Sequence, residues 1–125
     1  LLYKPEYDKR MKLSYSYIYK YDEQERIVLD SVFHYEYRNL YSRKISKKSY
    51  RKNVYDYVRA DCPPVTSFYE NDVLRMKTVY TSKNDYVTFV YFDNNSYVKV
   101  EYKNTKKYSE TFYVNQEEKN RKIYE

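Results

Sequence analysis

VYTSKNDYVTFVYFDNNSYVKVEYKNTKKYSETFYV, residues Val79–Val114, decides the architecture. Tyr69, Tyr80, Tyr91, Tyr102, Tyr113 and Tyr124 follow one another at intervals of 11 residues without a slip. Tyr86, Tyr97 and Tyr108 form a second series with the same period. Each unit reads Y-x-[ND]-x-x-x-Y-V, followed by a short run of β-favouring residues. Eleven residues also make about three turns of an α-helix, so a right-handed coiled coil must be weighed. The second tyrosine excludes it. It lies six residues after the first, about 240° around a helix, and the two would not share a face. YVTFVYF and YVKVEY favour strands, whereas SKND, DNNS and KNT favour turns. The expected fold is all-β: an antiparallel meander of tyrosine-rich hairpins with an 11-residue period, forming a single curved sheet or a sandwich.

The register follows if the two tyrosines face each other across each turn. Tyr91 then opposes Tyr97, Thr88 opposes Val100, and Tyr86 opposes Tyr102. One face would carry three rows. They are Phe68, Met76, Val90, Val98 and Phe112; then Thr66, Thr78, Thr88, Val100 and Glu110; then Tyr80, Tyr86, Tyr102, Tyr108 and Tyr124. This valine face is expected to be the more buried, because alternation puts its apolar residues on one side. The opposite, lysine face would carry Arg75, Lys77, Val87, Phe89, Lys99, Glu101, Ser109 and Thr111, with Tyr91, Tyr97 and Tyr113.

The N-terminal half is less regular. Tyr15, Tyr17, Tyr19 and Tyr21 alternate, so they share one face of a strand. DEQER (22–26) reads as a turn, and IVLDSVFHYEY returns as a second strand. Residues 38–48 are basic and irregular, and SYRKNVYDYV is another strand. Pro63 and Pro64 break the pattern, so ADCPPV (60–65) reads as a connection. The chain is expected to be one β-repeat domain over 1–125, irregular over 1–64 and regular over 65–125. Residues 1–11 and 115–125 are expected to be short helices or frayed ends.

Composition agrees with a folded chain. The mean hydropathy of −1.07 reflects 21 tyrosines among 125 residues, and hydropathy scales undervalue the apolar area of a tyrosine ring. Disordered chains lack such aromatic content. Twenty-four lysines and arginines against 18 acids give a net charge of +6, which favours acidic partners. No apolar stretch is long enough to span a membrane, so no membrane insertion is expected.

Catalytic constellations are sparse. With no glycine in the chain, a phosphate-binding loop or dinucleotide fingerprint is excluded. His34 is the one histidine and reads as a strand-face residue. Cys62 lacks the surroundings that would lower its pKa. Glu23, Glu25, Glu117 and Glu118 lie in turns, where acids are normally solvated. Asp93, Asn94 and Asn95 read as a turn, since the spacing of a calcium loop is missing. The expectation is therefore no enzyme, no cofactor and no metal. The constellation with functional content is tyrosine beside lysine and arginine. Tyr91, Tyr97, Tyr113, Arg75, Lys77 and Lys99 are the candidate partner-binding residues. A protein or glycan partner is the leading expectation, and single-stranded nucleic acid held by basic groups and stacking rings is the alternative. Open sheet edges would also allow an edge-to-edge dimer.

Tyr19–Ile27, YKYDEQERI, resembles the Y-x-Y-D-x-x-G-R-[LI] core of YD/RHS-type wall-associated repeats. FYENDVLRM and VYFDNNSY look like looser copies, and the likeness covers about two-thirds of the chain. Glu25 stands where that family has its turn glycine. MORN-type hairpin repeats are a second likeness. Both resemblances imply hairpin arrays that serve as surface, scaffold or binding modules. A secreted or cell-surface setting is expected ahead of a cytoplasmic one. The repeat likeness also suggests an immunity or antitoxin-like partner of a toxin.

Overall fold

The computed structural model of the protein describes residues 1–8, 13–37 and 44–124. Its strands are β1 (Leu2–Tyr7), β2 (Leu13–Tyr21), β3 (Ile27–Tyr37), β4 (Ile45–Asp56) and β5 (Val65–Glu70). They continue with β6 (Val73–Tyr80), β7 (Tyr86–Tyr91), β8 (Ser96–Lys103), β9 (Lys106–Val114) and β10 (Glu117–Ile123). Each strand neighbours the next in sequence, so the fold is an all-β antiparallel meander in one sheet rather than a sandwich. No helix among the described residues is long and apolar enough to cross a membrane. The chain divides into two compact units: residues 1–54 with 69–73, and residues 55–68 with 74–125.

In the second unit the tyrosine rule sets the register of four strands. Tyr80 opposes Tyr86, Thr78 opposes Thr88 and Met76 opposes Val90. Tyr86 opposes Tyr102, Val90 opposes Val98 and Tyr91 opposes Tyr97. Val98 opposes Phe112 and Val100 opposes Glu110. The rule breaks beyond Glu101. Tyr102 faces Lys107, not Tyr108, because Glu101 pairs with Ser109 and a bulge takes up one residue. The cause is the turn. Asn104 and Thr105 alone link Lys103 to its partner Lys106, and both have positive φ (52° and 66°), as a mirror-image two-residue turn requires. Such a tight turn leaves one residue too many on β9, and Tyr108 is displaced from its row.

Without glycine, asparagine takes the first left-handed place in each two-residue turn. Asn71 and Asp72 (φ 49° and 65°) and Asn115 and Gln116 (φ 53° and 68°) repeat the arrangement. Glu25 has φ 62°, so a glutamate adopts the left-handed conformation that ordinarily favours glycine. The longer loops rely on aspartate. Asp93 Oδ1 accepts from the amides of Asn95 and Ser96 (2.7 and 2.8 Å), which makes DNNS a turn. Asp22 does the same for Gln24 and Arg26 (2.9 and 3.0 Å). These amides hold both carboxyls below the usual aspartate range, with the Ser96 hydroxyl adding to the effect at Asp93 and the Arg26 guanidinium at Asp22. Two-residue turns then latch onto neighbouring loops. Thr105 N–H donates to Asn84 O (2.9 Å), and Asn115 N–H to Asn95 O (2.8 Å).

Two expectations are corrected. Residues 2–7 and 117–123 are strands, not helices or frayed ends; residues 9–11 of the first segment and Glu125 lie outside the described residues. Neither segment has an apolar alternation of its own, and the ladder to β2 or β9 extends each of them. Pro5 fits because β1 is the terminal strand of the order, where a missing amide donor is tolerated. The second correction concerns burial. In the second unit burial does not separate the two faces: on the valine face Val100 is 8% and Met76 40% exposed, while Ser109 and Thr111 on the lysine face are 3% and 2% exposed. With a single layer of strands, small side chains vanish beneath large neighbours on either side. Val100 is the one buried hydrophobic residue among those described.

In the first unit DEQER forms the turn between β2 and β3. Tyr15, Tyr17 and Tyr19 share a face, opposite His34, Val32 and Asp30. β4 covers the basic segment from Ile45 onward; residues 38–43 lie outside the described residues. The connection over 57–64 carries no strand, as the prolines require. Cys62 sits there, half-buried and free.

Candidate functional site

The six candidate residues share the lysine face of the second unit. Lys77 opposes Phe89, which opposes Lys99, which opposes Thr111. Tyr91, Tyr97 and Tyr113 form the next cross-strand row. The Tyr97 and Tyr113 rings stack at 4.9 Å and 12°, and Tyr91 and Tyr97 meet tilted at 5.8 Å. Phe89 closes the row against Tyr97 at 6.1 Å. Arg75 Nη1 donates to Phe92 O at 3.5 Å, which draws the guanidinium to the loop beyond Tyr91. Lys99 Nζ lies 3.4 Å from Glu101 Oε1. The face is basic, with Arg75, Lys77 and Lys99 against Glu101 at its centre.

Tyr80, Tyr86 and Tyr102 make a matching row on the valine face, with centroids 5.0 and 4.4 Å apart. Beside it, the Thr78 and Thr88 hydroxyls bond at 3.0 Å. Burial, then the neighbouring phenols Tyr102 and Tyr80, pushes the Tyr86 phenol above its ordinary value. Burial and Tyr97 do the same to Tyr91. This predicts an alkaline limit to stability. A phenol whose pKa is raised on folding loses its proton first in the unfolded chain. Its contribution is complete below the unfolded value near 10 and disappears as pH rises through the higher folded value. Tyrosinate absorbance at 295 nm for these rings should therefore appear together with loss of the β-sheet dichroism. Full ionisation of all tyrosines in an intact sheet would refute the assignment.

The first unit holds a second aromatic–basic array that the sequence reading did not single out. Phe33 stacks on Tyr50 at 4.3 Å and 15°. Lys48 Nζ lies 4.7 Å from the Phe33 centroid and 5.6 Å from Tyr35. Lys52 Nζ lies 4.9 Å from the Tyr69 centroid and 6.0 Å from Tyr50. Cation and ring thus alternate along the array, at distances where each contact contributes about 0.5–1 kcal/mol. Beneath it Ser16 is 2% exposed, with its hydroxyl 3.2 Å from the Tyr35 hydroxyl. The readable signal was the alternation Lys48-x-Tyr50-x-Lys52 against Phe33-x-Tyr35. The strand acids of β1–β3, Glu6, Asp30 and Glu36, all fall on the opposite face with Tyr15, Tyr17, Tyr19 and His34.

The remaining candidates occupy ordinary places. His34 stacks on Tyr15 at 4.6 Å. Glu117 and Glu118 pair with Lys119 and Arg121. Arg59 grips Asp61 through two hydrogen bonds (3.0 and 2.7 Å) and donates to Thr81 O (2.9 Å). Among the described residues no three of His, Cys, Asp and Glu group closely enough to hold a metal ion.

The fold and this face define a β-meander with paired tyrosine ladders. No family model matches the chain, no curated protein matches it, and no solved structure matches it.

Proposed function

We propose that the chain is a non-enzymatic β-repeat module that binds a partner, of the surface or scaffold kind, through the lysine face of its second unit. One observation carries this reading: the row Tyr91–Tyr97–Tyr113, set beside Arg75, Lys77 and Lys99. Rings that stack on each other cover much of their own faces and leave hydroxyl-bearing edges for contact. Edges of this kind donate and accept hydrogen bonds, and tyrosine combines them with apolar area at low entropic cost. This supports a protein partner ahead of a glycan, whose sugars prefer open ring faces. It also weighs against single-stranded nucleic acid, because bases stack on open ring faces.

The test uses the immobilised chain and a variant carrying Tyr91→Phe, Tyr97→Phe and Tyr113→Phe, which keeps the stack and removes three hydroxyls. A saturable partner retained by the parent and lost by the variant is the expected result. Equal retention by both, or turnover of a substrate that the variant leaves untouched, would overturn the reading. Homopolymeric single-stranded DNA serves as the competing ligand. Binding that falls steeply with salt and is unaffected by the hydroxyl deletions would favour the nucleic-acid alternative.

A further inference from the structure

A different place in the molecule, on the acid-bearing face of the first unit, has the chemistry of a small-ligand site. Tyr15, His34 and Ser49 oppose one another in one cross-strand row, and Val32 and Arg51 oppose one another in the next. These five side chains line a hollow in the sheet surface. The His34 imidazole is fixed by its stack on Tyr15, at 4.6 Å and 18°. Its Nδ1 lies 3.8 Å from Glu36 Oε1, which orients the ring along β3. Ser49 adds a hydroxyl, and Val32 adds an apolar wall.

Arg51 distinguishes the hollow. The acids of β1–β3 on this face are already engaged. Asp30 accepts from Asn53 at 2.9 Å, Glu6 accepts from the Tyr17 hydroxyl at 3.3 Å, and Glu36 sits against His34. Arg51 has no ion pair or side-chain hydrogen bond with any described residue. No acid lines the hollow. An unpaired guanidinium is a planar fork of donors matched to two coplanar oxygens. An imidazole N–H and a hydroxyl beside it supply further donors, while Tyr15 and Val32 accommodate a short aliphatic stem.

We propose that this hollow binds a carboxylate on a short aliphatic stem, with Arg51 as the anchor and Ser49 and His34 as flanking donors. The site is separate from the lysine face and stands or falls without it.

His34 is the one histidine of the chain, so its imidazole proton resonances report on the hollow without ambiguity. They are followed at fixed pH and matched ionic strength while propionate, phosphate or chloride is added to the parent, Arg51→Gln and Arg51→Lys. Dispersed amide spectra establish that each variant is folded. The expected result is a saturable shift with propionate that weakens about tenfold in Arg51→Gln, the loss of one charge-assisted pair. Arg51→Lys, which keeps the charge and loses the fork, should fall between. An equal shift with chloride, tighter saturation by phosphate than by propionate, or identical propionate binding by Arg51→Gln would each overturn the proposal. A short acetylated peptide containing glutamate separates the two sources of the carboxylate. Tighter binding than propionate assigns it to a protein segment, and equal binding to a free small acid.

Discussion

Changing Asp72, Thr105 and Gln116 to glycine together is expected to stabilise the protein by about 2 kcal/mol. All three occupy the second place of a two-residue turn, at φ 65°, 66° and 68°. A side chain with a Cβ pays about 1–2 kcal/mol in that conformation, and β-branched Thr105 is the worst suited. Glycine removes the cost but adds about 0.4–1 kcal/mol of backbone entropy to the unfolded chain, which leaves a net gain below 1 kcal/mol per site. The turns are separate, so the gains should add. The melting temperature should rise by roughly 8 °C for a chain of this size. The losses are small. Asp72 gives up a 3.9 Å contact with Lys52 in which it is 77% exposed, and such pairs contribute little. Thr105 gives up a hydrogen bond to its neighbour's carbonyl. Urea titrations with an unchanged slope would measure the gain. A triple variant no more stable than the parent would mean that the turns are not left-handed. Asn115→Gly (φ 53°) is the internal control, with a smaller gain expected because asparagine tolerates this region.

Tyr86→Ala should have a larger effect in the opposite direction, a loss of about 3 kcal/mol. Tyr86 is the middle ring of its row and meets Tyr80 at 5.0 Å and Tyr102 at 4.4 Å. Its deletion removes two aromatic contacts and exposes the edges of both neighbours. In a unit whose one buried hydrophobic residue is Val100, no deeper core compensates. Tyr86→Phe keeps both contacts and should cost less than about 0.5 kcal/mol. It should also delay alkaline unfolding, since the phenol that ionises is gone. Denaturant melts of both variants settle the matter, and an alanine variant within 1 kcal/mol of the parent would show that the ladder does not hold the sheet.

Much of this architecture was readable because two local signals agreed. Strand-favouring runs and Asn/Asp turns alternate with one period from Tyr69 onward, so the pairing of β6 to β9 followed from the spacing of tyrosines. The reading failed where a signal was missing. KNTKK contains no glycine to announce a two-residue turn, so the bulge at Tyr108 was invisible. LYKPEY and EEKNRKI show no apolar alternation, and their extended form comes from hydrogen bonds to a neighbouring strand. Burial could not be read either, because in a single layer it depends on which large side chain leans over which small one. The six residues of the candidate face came together because alternation alone places them. The array of Lys48, Lys52, Phe33, Tyr50 and Tyr69, and the hollow at Arg51, depend on the register of β3 against β4. No repeat specifies that register.

The 11-residue spacing has an arithmetic consequence for how such a chain can lengthen. Eleven is odd, and strand direction reverses with each unit. Tyr80 and Tyr102 therefore fall on one side of the sheet, and Tyr91 and Tyr113 on the other. The structural period is 22 residues, one complete hairpin. Duplication of a single unit would send every downstream tyrosine to the wrong side and every downstream loop to the wrong end. Duplication of a pair would extend both ladders without disturbing either. Viable relatives of this chain should therefore differ in length by multiples of two units.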